Sequence, residues 1–151
     1  MLRPDTPEHV TDSNSIRAMA FDFGLRQIGV AVGNTALGTS QALPILSAKD
    51  GIPNWDLVSV LLGEWKPDQV LVGDPINMDG TVSEIATRAR KFARRLEGRF
   101  GVSVTLVDER LTSFAAKQAQ RDLGHDGNYK REPVDSLAAE LILRDWFNQR
   151  D

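Results

Sequence analysis

The segment Ala18-Met19-Ala20-Phe21-Asp22-Phe23 reads as a β-strand with one carboxylate set among apolar residues. Period two places Asp22 with Ala18 and Ala20, opposite Met19, Phe21 and Phe23. A carboxylate in such surroundings is costly unless it is paired or bound to a metal. A strand of this kind belongs inside a sheet, and Asp22 is there either paired, bound to a metal or turned to a solvated face. A second β-type run covers 28–33, and Gly24-Leu25-Arg26-Gln27 joins the two as a hairpin with a turn of about four residues. A third extended stretch, 39–47, carries Pro44, which suits an edge strand.

Helical signals follow. Asn54 reads as an N-cap, with Trp55, Val58, Leu61, Leu62 and Trp65 at helical spacing and Pro67 as the stop. Residues 68–73 form a compact buried strand, followed by the turn-forming run Asp74-Pro75-Ile76-Asn77-Met78-Asp79-Gly80. Thr81 or Ser83 caps a longer helix whose apolar stripe is Val82, Ile85, Ala86, Ala89, Phe92, Ala93 and Leu96. A strand over 102–107, a helix over 113–123 ending at Gly124, a polar loop 125–132 and a last helix over 133–148 complete the order. Two βαβ-like crossovers after an antiparallel meander predict an α/β fold with a mixed sheet and helices on both faces.

At 151 residues this is one domain of ordinary size. Residues 1–16 hold no apolar signal core and read as a flexible extension, leaving 17–151 as the domain. The absence of cysteine excludes disulfides and thiolate metal sites, and no apolar run reaches the ~18 residues of a membrane span. Both point to the cytoplasm. The net charge of −3 excludes a globally basic nucleic-acid binder, so any such role rests on a local patch.

Three acids stand out by position: Asp22 in its strand, Glu109 just past the 102–107 strand, and Asp135 in the first turn of the last helix. If they converge, they make a divalent-cation site. Phosphodiester hydrolysis needs one, because two ions about 3.5–4 Å apart stabilise the attacking and leaving oxygens and activate a water. Mg²⁺ and Mn²⁺ favour hard carboxylate oxygens, and a helix N-terminus helps keep Asp135 ionised. A surface-facing Asp on a half-exposed sheet, a plain first-turn helix acid and a solvated Asp108-Glu109 pair would look the same in sequence.

The run Asp22–Gly33 is similar both to the phosphate loop of the sugar-kinase, Hsp70 and actin superfamily and to the first hairpin of RNase H-like nucleases. The kinase-type fold needs two lobes, and the chain length holds one. Further motifs narrow the choice. Ala20-Phe21-Asp22-Phe23-Gly24 with Ile28-Gly29-Val30-Ala31, Val72-Gly73-Asp74-Pro75 with Asn77-Met78-Asp79-Gly80, Arg88–Ala93, Asp108-Glu109-Arg110-Leu111-Thr112 and Val134–Ala139 occur in this order. Together they resemble the YqgF family, the RuvX-type resolvases and ribosomal-RNA precursor nucleases, over about residues 18–148.

The resemblance implies an RNase H-like fold: a five-stranded mixed sheet of order 3-2-1-4-5 with helices on both faces. It implies a metal-dependent nuclease with Mg²⁺ or Mn²⁺ on Asp22, Glu109 and Asp135, and with Asp108 as a substitute or secondary acid. A fourth acid of the RuvC type near the last position is missing, and only Glu140 and Asp145 follow Asp135. Asp74 stands where the family usually shows an apolar residue, and Leu25 where a small hydroxylated one is common.

Arg110, Lys117, Arg121, Lys130 and Arg131, near the proposed ligands, are the first candidates for nucleic-acid contact. Arg94 and Arg95 are next, on a helix that also carries Arg88, Arg90, Lys91 and Arg99; a plain solvated face is the alternative. His125 and Tyr129 either meet a base or are ordinary loop residues, and Trp55, Trp65 and Trp146 read as packing. Three functions fit these features: maturation of the small-subunit ribosomal RNA precursor, with precursor particles as partners and a monomer or weak dimer as the state; a Holliday-junction resolvase, which needs a dimer; and a catalytically weak nucleic-acid-binding module.

Overall fold

A computed structural model describes residues 15–109 and 134–150, and only the backbone of Val134, Asp135 and Arg150. The elements are β1 (Arg17–Asp22), β2 (Gln27–Asn34), β3 (Thr39–Lys49), β4 (Ile52–Pro53), α1 (Trp55–Trp65), β5 (Gln69–Asp74), α2 (Glu84–Phe100), β6 (Val104–Asp108) and α3 (Val134–Arg150). Residues 1–14, the helix expected over 113–123 and the loop after it lie outside the described residues.

The sheet has the order β4-β3-β2-β1-β5-β6. This corrects the expected five strands to six. The added strand is the two-residue β4, which pairs only with Ala48 and Lys49 of β3. It exists because Asp50 and Gly51 both take positive φ (52° and 82°), closing a two-residue hairpin of the kind Asp-Gly favours. The five longer strands keep the expected order. β1 runs antiparallel to β2, with Asp22 opposite Gly29, and parallel to β5, with Phe21 beside Val72. β5 runs parallel to β6, with Asp74 beside Asp108. Pro44 falls where the β2–β3 register shifts between Ile28 and Val30, on the side of β3 that β4 leaves open.

Each helix end has a local cause. Asn54 caps α1 by accepting the Asp56 N–H at 2.9 Å, and the helix exits through Lys66 in the left-handed region before Pro67. Ser83, not Thr81, caps α2, accepting the Ala86 N–H. Thr81 instead closes the preceding turn: Asp79 accepts both its N–H and its hydroxyl, and Gly80 sits at φ 90°. Val82 therefore precedes the helix and is 47% exposed, so the apolar stripe starts one turn later than the spacing suggests.

The pleat sorts β1 into two cores. Met19 and Phe21 join Val30, Val70 and Val72 under α1 and α2, whose Val58, Leu62, Phe92 and Leu96 fill that face. Trp55 stacks on Phe92 with ring centroids 5.9 Å apart, and Trp65 packs on the same cluster, as expected of packing residues. Ala18, Ala20, Ala31, Leu71 and Val107 face α3, where Ala139, Ile142 and Leu143 meet them and Trp146 packs at the margin. Ile142 and Leu143 are fully buried, each contributing about 1.5–3 kcal/mol by leaving water. The small alanines let α3 lie close to the strands. The helices thus cover both faces, and Asp22, in phase with Ala18 and Ala20, belongs to the α3 face.

Candidate active site

Parallel pairing of β1 and β5 brings two strand ends side by side, Asp22 on one and Gly73 next to it on the other. Gly73 is in phase with Leu71, so it too opens onto the α3 face. The Glu109 side chain lies in the space above it. A Cβ on Gly73 would collide with the Glu109 carboxylate and come within 2.7 Å of Ile142 Cδ1 of α3. Glu109 is 6% exposed, and its backbone N–H points to the Asp74 carbonyl at 3.4 Å. Glu109 therefore folds back from the end of β6 onto the face that carries Asp22. Asp108, one residue earlier and half-buried, is out of phase with the α3-facing Val107 and falls on the other side of the sheet.

Asp74, the departure from the family pattern, also points away from this face. It is buried, and Arg90 of α2 grips it in a two-pronged contact, Nε to Oδ1 at 3.1 Å and Nη2 to Oδ2 at 2.9 Å. These hydrogen bonds, with the carboxylate charge, raise the Arg90 pKa above its ordinary value. The pair fastens the end of β5 to α2, and so the strand that carries Gly73.

The first turn of α3 is held at the same level of the sheet. Ser136, fully buried, donates its hydroxyl to the Leu43 carbonyl of β3 at 2.6 Å. Leu43 pairs with Val30, and Val30 with Phe21, one residue before Asp22. Two strand spacings, about 10 Å, thus separate the Ser136 anchor from β1. The backbone of Asp135 sits in this first turn, where the helix dipole favours negative charge. Nothing in a Ser among the apolar spacings of this helix marks it as an anchor, because the Leu43 carbonyl it serves lies 93 positions away in sequence. Ser136→Ala would leave that carbonyl without its donor, and the expected loss is about 1–3 kcal/mol by thermal or urea unfolding. Unfolding at the wild-type midpoint would show that water replaces the hydroxyl without penalty.

Of the two later acids, Glu140 accepts the Ser40 hydroxyl at 2.8 Å, which ties α3 to β3, and Asp145 is buried farther along the helix. Among the described residues no three acidic or imidazole side chains form a metal-sized group, a set that does not include the Asp135 side chain. Arg110, Lys117, Arg121, His125, Tyr129, Lys130 and Arg131 lie outside the described residues. Arg94 and Arg95 fall on different flanks of α2: Arg94 is exposed on the side of Arg90, Arg95 half-buried on the side of Arg88.

The family described as "RuvX: Holliday junction resolvase" matches residues 16–149. A Chromohalobacter salexigens protein named "putative pre-16S rRNA nuclease" is 56% identical over 129 residues, covering 85% of this chain and 87% of its own. A Saccharophagus degradans protein of the same name is 53% identical over 131 residues, covering 87% and 92%. Among solved structures, Thermus thermophilus RuvC in complex with a Holliday junction substrate superposes with a TM-score of 0.52 at 18% identity, covering 89% of this chain and 95% of that one. The fowlpox virus Holliday junction resolvase gives 0.52 at 17% identity, covering 89% and 99%. At such identities these two structures speak for the fold, which is RNase H-like and agrees with the strand order above. The match over nearly the whole domain and the high identity to these relatives place the chain in the RuvX family.

Proposed function

We propose that this chain is a divalent-metal-dependent nuclease that hydrolyses phosphodiester bonds in structured RNA, with the 5′ region of the small-subunit ribosomal RNA precursor as its substrate. The observation that carries the reading is the buried Glu109 carboxylate, seated over Gly73 on the face and at the strand ends that carry Asp22. Relatives more than half identical carry the name of that activity. Asp22 and Glu109 would hold the ions, with Asp135 completing the set from the α3 first turn. The donors are hard carboxylate oxygens, which suits Mg²⁺ or Mn²⁺. Bound there, the ions would activate a water and stabilise the attacking and leaving oxygens.

The protein's own part is placement. The Asp74–Arg90 clamp fixes the end of β5, Gly73 leaves room for Glu109, and Ser136 holds the helix end that bears Asp135. The opposite-face position of Asp108 favours Glu109 as the ligand of the two. The reading includes a cytoplasmic protein, monomeric or weakly dimeric, that meets its RNA in precursor particles. No helix among the described residues is long and apolar enough to cross a membrane.

The test offers the purified chain a precursor RNA spanning the 5′ end and a four-way DNA junction side by side, each with Mg²⁺ and with Mn²⁺. Metal-dependent cleavage of the RNA is expected, and Asp22→Asn should remove it. Equal cleavage by Asp22→Asn would assign the activity to a contaminant. Cleavage of the junction alone, by a dimer, would make the protein a resolvase.

A further inference from the structure

On the other face of the sheet, next to the strand end that carries Asp22, lies a recess of about 190 Å³. Phe23 follows Asp22 directly, and with Phe92 it lines the apolar part of the recess. The two rings pack with centroids 5.5 Å apart. The Asp50-Gly51 turn forms one wall, and a Cβ on Gly51 would come within 2.8 Å of the Phe23 ring. Arg88, Lys91 and Arg95 of α2 form the other wall.

These cations are gathered by helix geometry. Steps of three and four residues put Arg88, Lys91 and Arg95 on one flank of α2, along the edge of its buried stripe. One acid answers them: Asp50, paired with Arg88 at 2.9 Å. Glu84 reaches the same Arg88 at 3.7 Å from outside the recess. Among the described residues neither Lys91 nor Arg95 forms an ion pair. A chain of net charge −3 thus concentrates positive charge in one recess beside its candidate active site. The walls offer donors and few acceptors, which suits an anion held by charge and hydrogen bonds.

We propose that this recess is a backbone-phosphate subsite for the RNA strand, gripping a phosphate a few nucleotides from the bond that is cut. The inference rests on the nuclease reading for its ligand and on the recess for its place. A strand crossing the Asp22 end of the sheet passes from the carboxylates on the α3 face to the cations on the α2 face. Arg88, held by Asp50, shapes the wall, while Lys91 and Arg95 meet the phosphate. The site reads no base, so it sets the position of the strand rather than its sequence.

The experiment measures binding of the precursor RNA at several salt concentrations, without divalent metal, for wild type, Lys91→Gln/Arg95→Gln and Arg144→Gln. The last removes a charge from α3, across the sheet from the recess. The double variant should bind roughly tenfold more weakly at low salt, with a log–log salt slope shallower by about one. Arg144→Gln should keep the wild-type slope. An unchanged slope in the double variant, or an equal change in Arg144→Gln, overturns the subsite. Inorganic phosphate is the second probe. Tight phosphate binding lost in the double variant, with RNA binding intact, would make the recess a free-anion site and also overturn the proposal. Failure of the nuclease reading looks different: wild type leaves the RNA uncut with either metal, while the double variant still binds with the shallower slope.

Discussion

Glu109→Gln is expected to lower metal-supported RNA cleavage by on the order of 10³-fold while the chain stays folded. The substitution keeps the shape of a buried side chain that is 6% exposed and removes its charge. Lost stabilisation of several kcal/mol in the transition state corresponds to that factor. Stability should hold or rise, because Glu109, folded back over Gly73 of the intervening β5, shares one face of the sheet with Asp22, and like charges crowd each other when no metal lies between them. The measurement pairs single-turnover cleavage with the melting temperature. A melting temperature several degrees lower, with cleavage intact in the remaining folded protein, would make Glu109 a structural residue.

Gly73→Ala should be nearly as damaging by a different route. The added methyl would overlap the Glu109 carboxylate, with Glu109 Cδ at 2.8 Å and Ile142 Cδ1 at 2.7 Å, closer than carbon atoms sit in folded proteins. A flexible side-chain end on an open surface would swing aside. Here Ile142 is fully buried, so relief has to come from Glu109 leaving its seat or α3 lifting from the sheet. Overpacking of this kind costs about 1–3 kcal/mol. Each kcal/mol lowers the melting temperature of a domain this size by roughly 2–4 °C. Displacing a catalytic group by about 1 Å costs on the order of 10²-fold in rate. Both losses are expected together, and only the second should persist when the assay is run well below the melting point. Wild-type cleavage by Gly73→Ala would mean that the seat of Glu109 over Gly73 is not its working position.

Much of the architecture was legible in the chain. Period-two alternation in β1 assigned Asp22 to the face of Ala18 and Ala20, and the two cores keep that division. Asn54 acts as the cap its position suggests. Ser83 and Thr81 could not be separated by sequence, since both are hydroxyl residues before an apolar stripe. The difference is that Asp79 captures Thr81 in the preceding turn. The hairpin that adds β4 was missed because its two residues are too short to show a period. The residues of the strand-end site were visible as types, but their roles were not. Asp74 reads as one more acid near the site, but the pleat puts it on the face opposite Gly73, where Arg90, 16 residues on, pairs with it.

From neighbours along the chain alone came the order of the five longer strands and of the three described helices, the apolar face of β1, the Asn54 cap, and the motifs that mark a RuvX chain. Only the tertiary structure decided that Glu109 rather than Asp108 shares the face of Asp22. It also decided that Gly73 is the space Glu109 occupies, that Ser136 anchors α3 to β3, and that Arg88, Lys91 and Arg95 face the Asp50-Gly51 turn across one recess. Each of these depends on which surface packs against which across the sheet. That is set by the pleat, by parallel pairing of β1 with β5, and by how closely α3 can approach a face built of alanines and glycine.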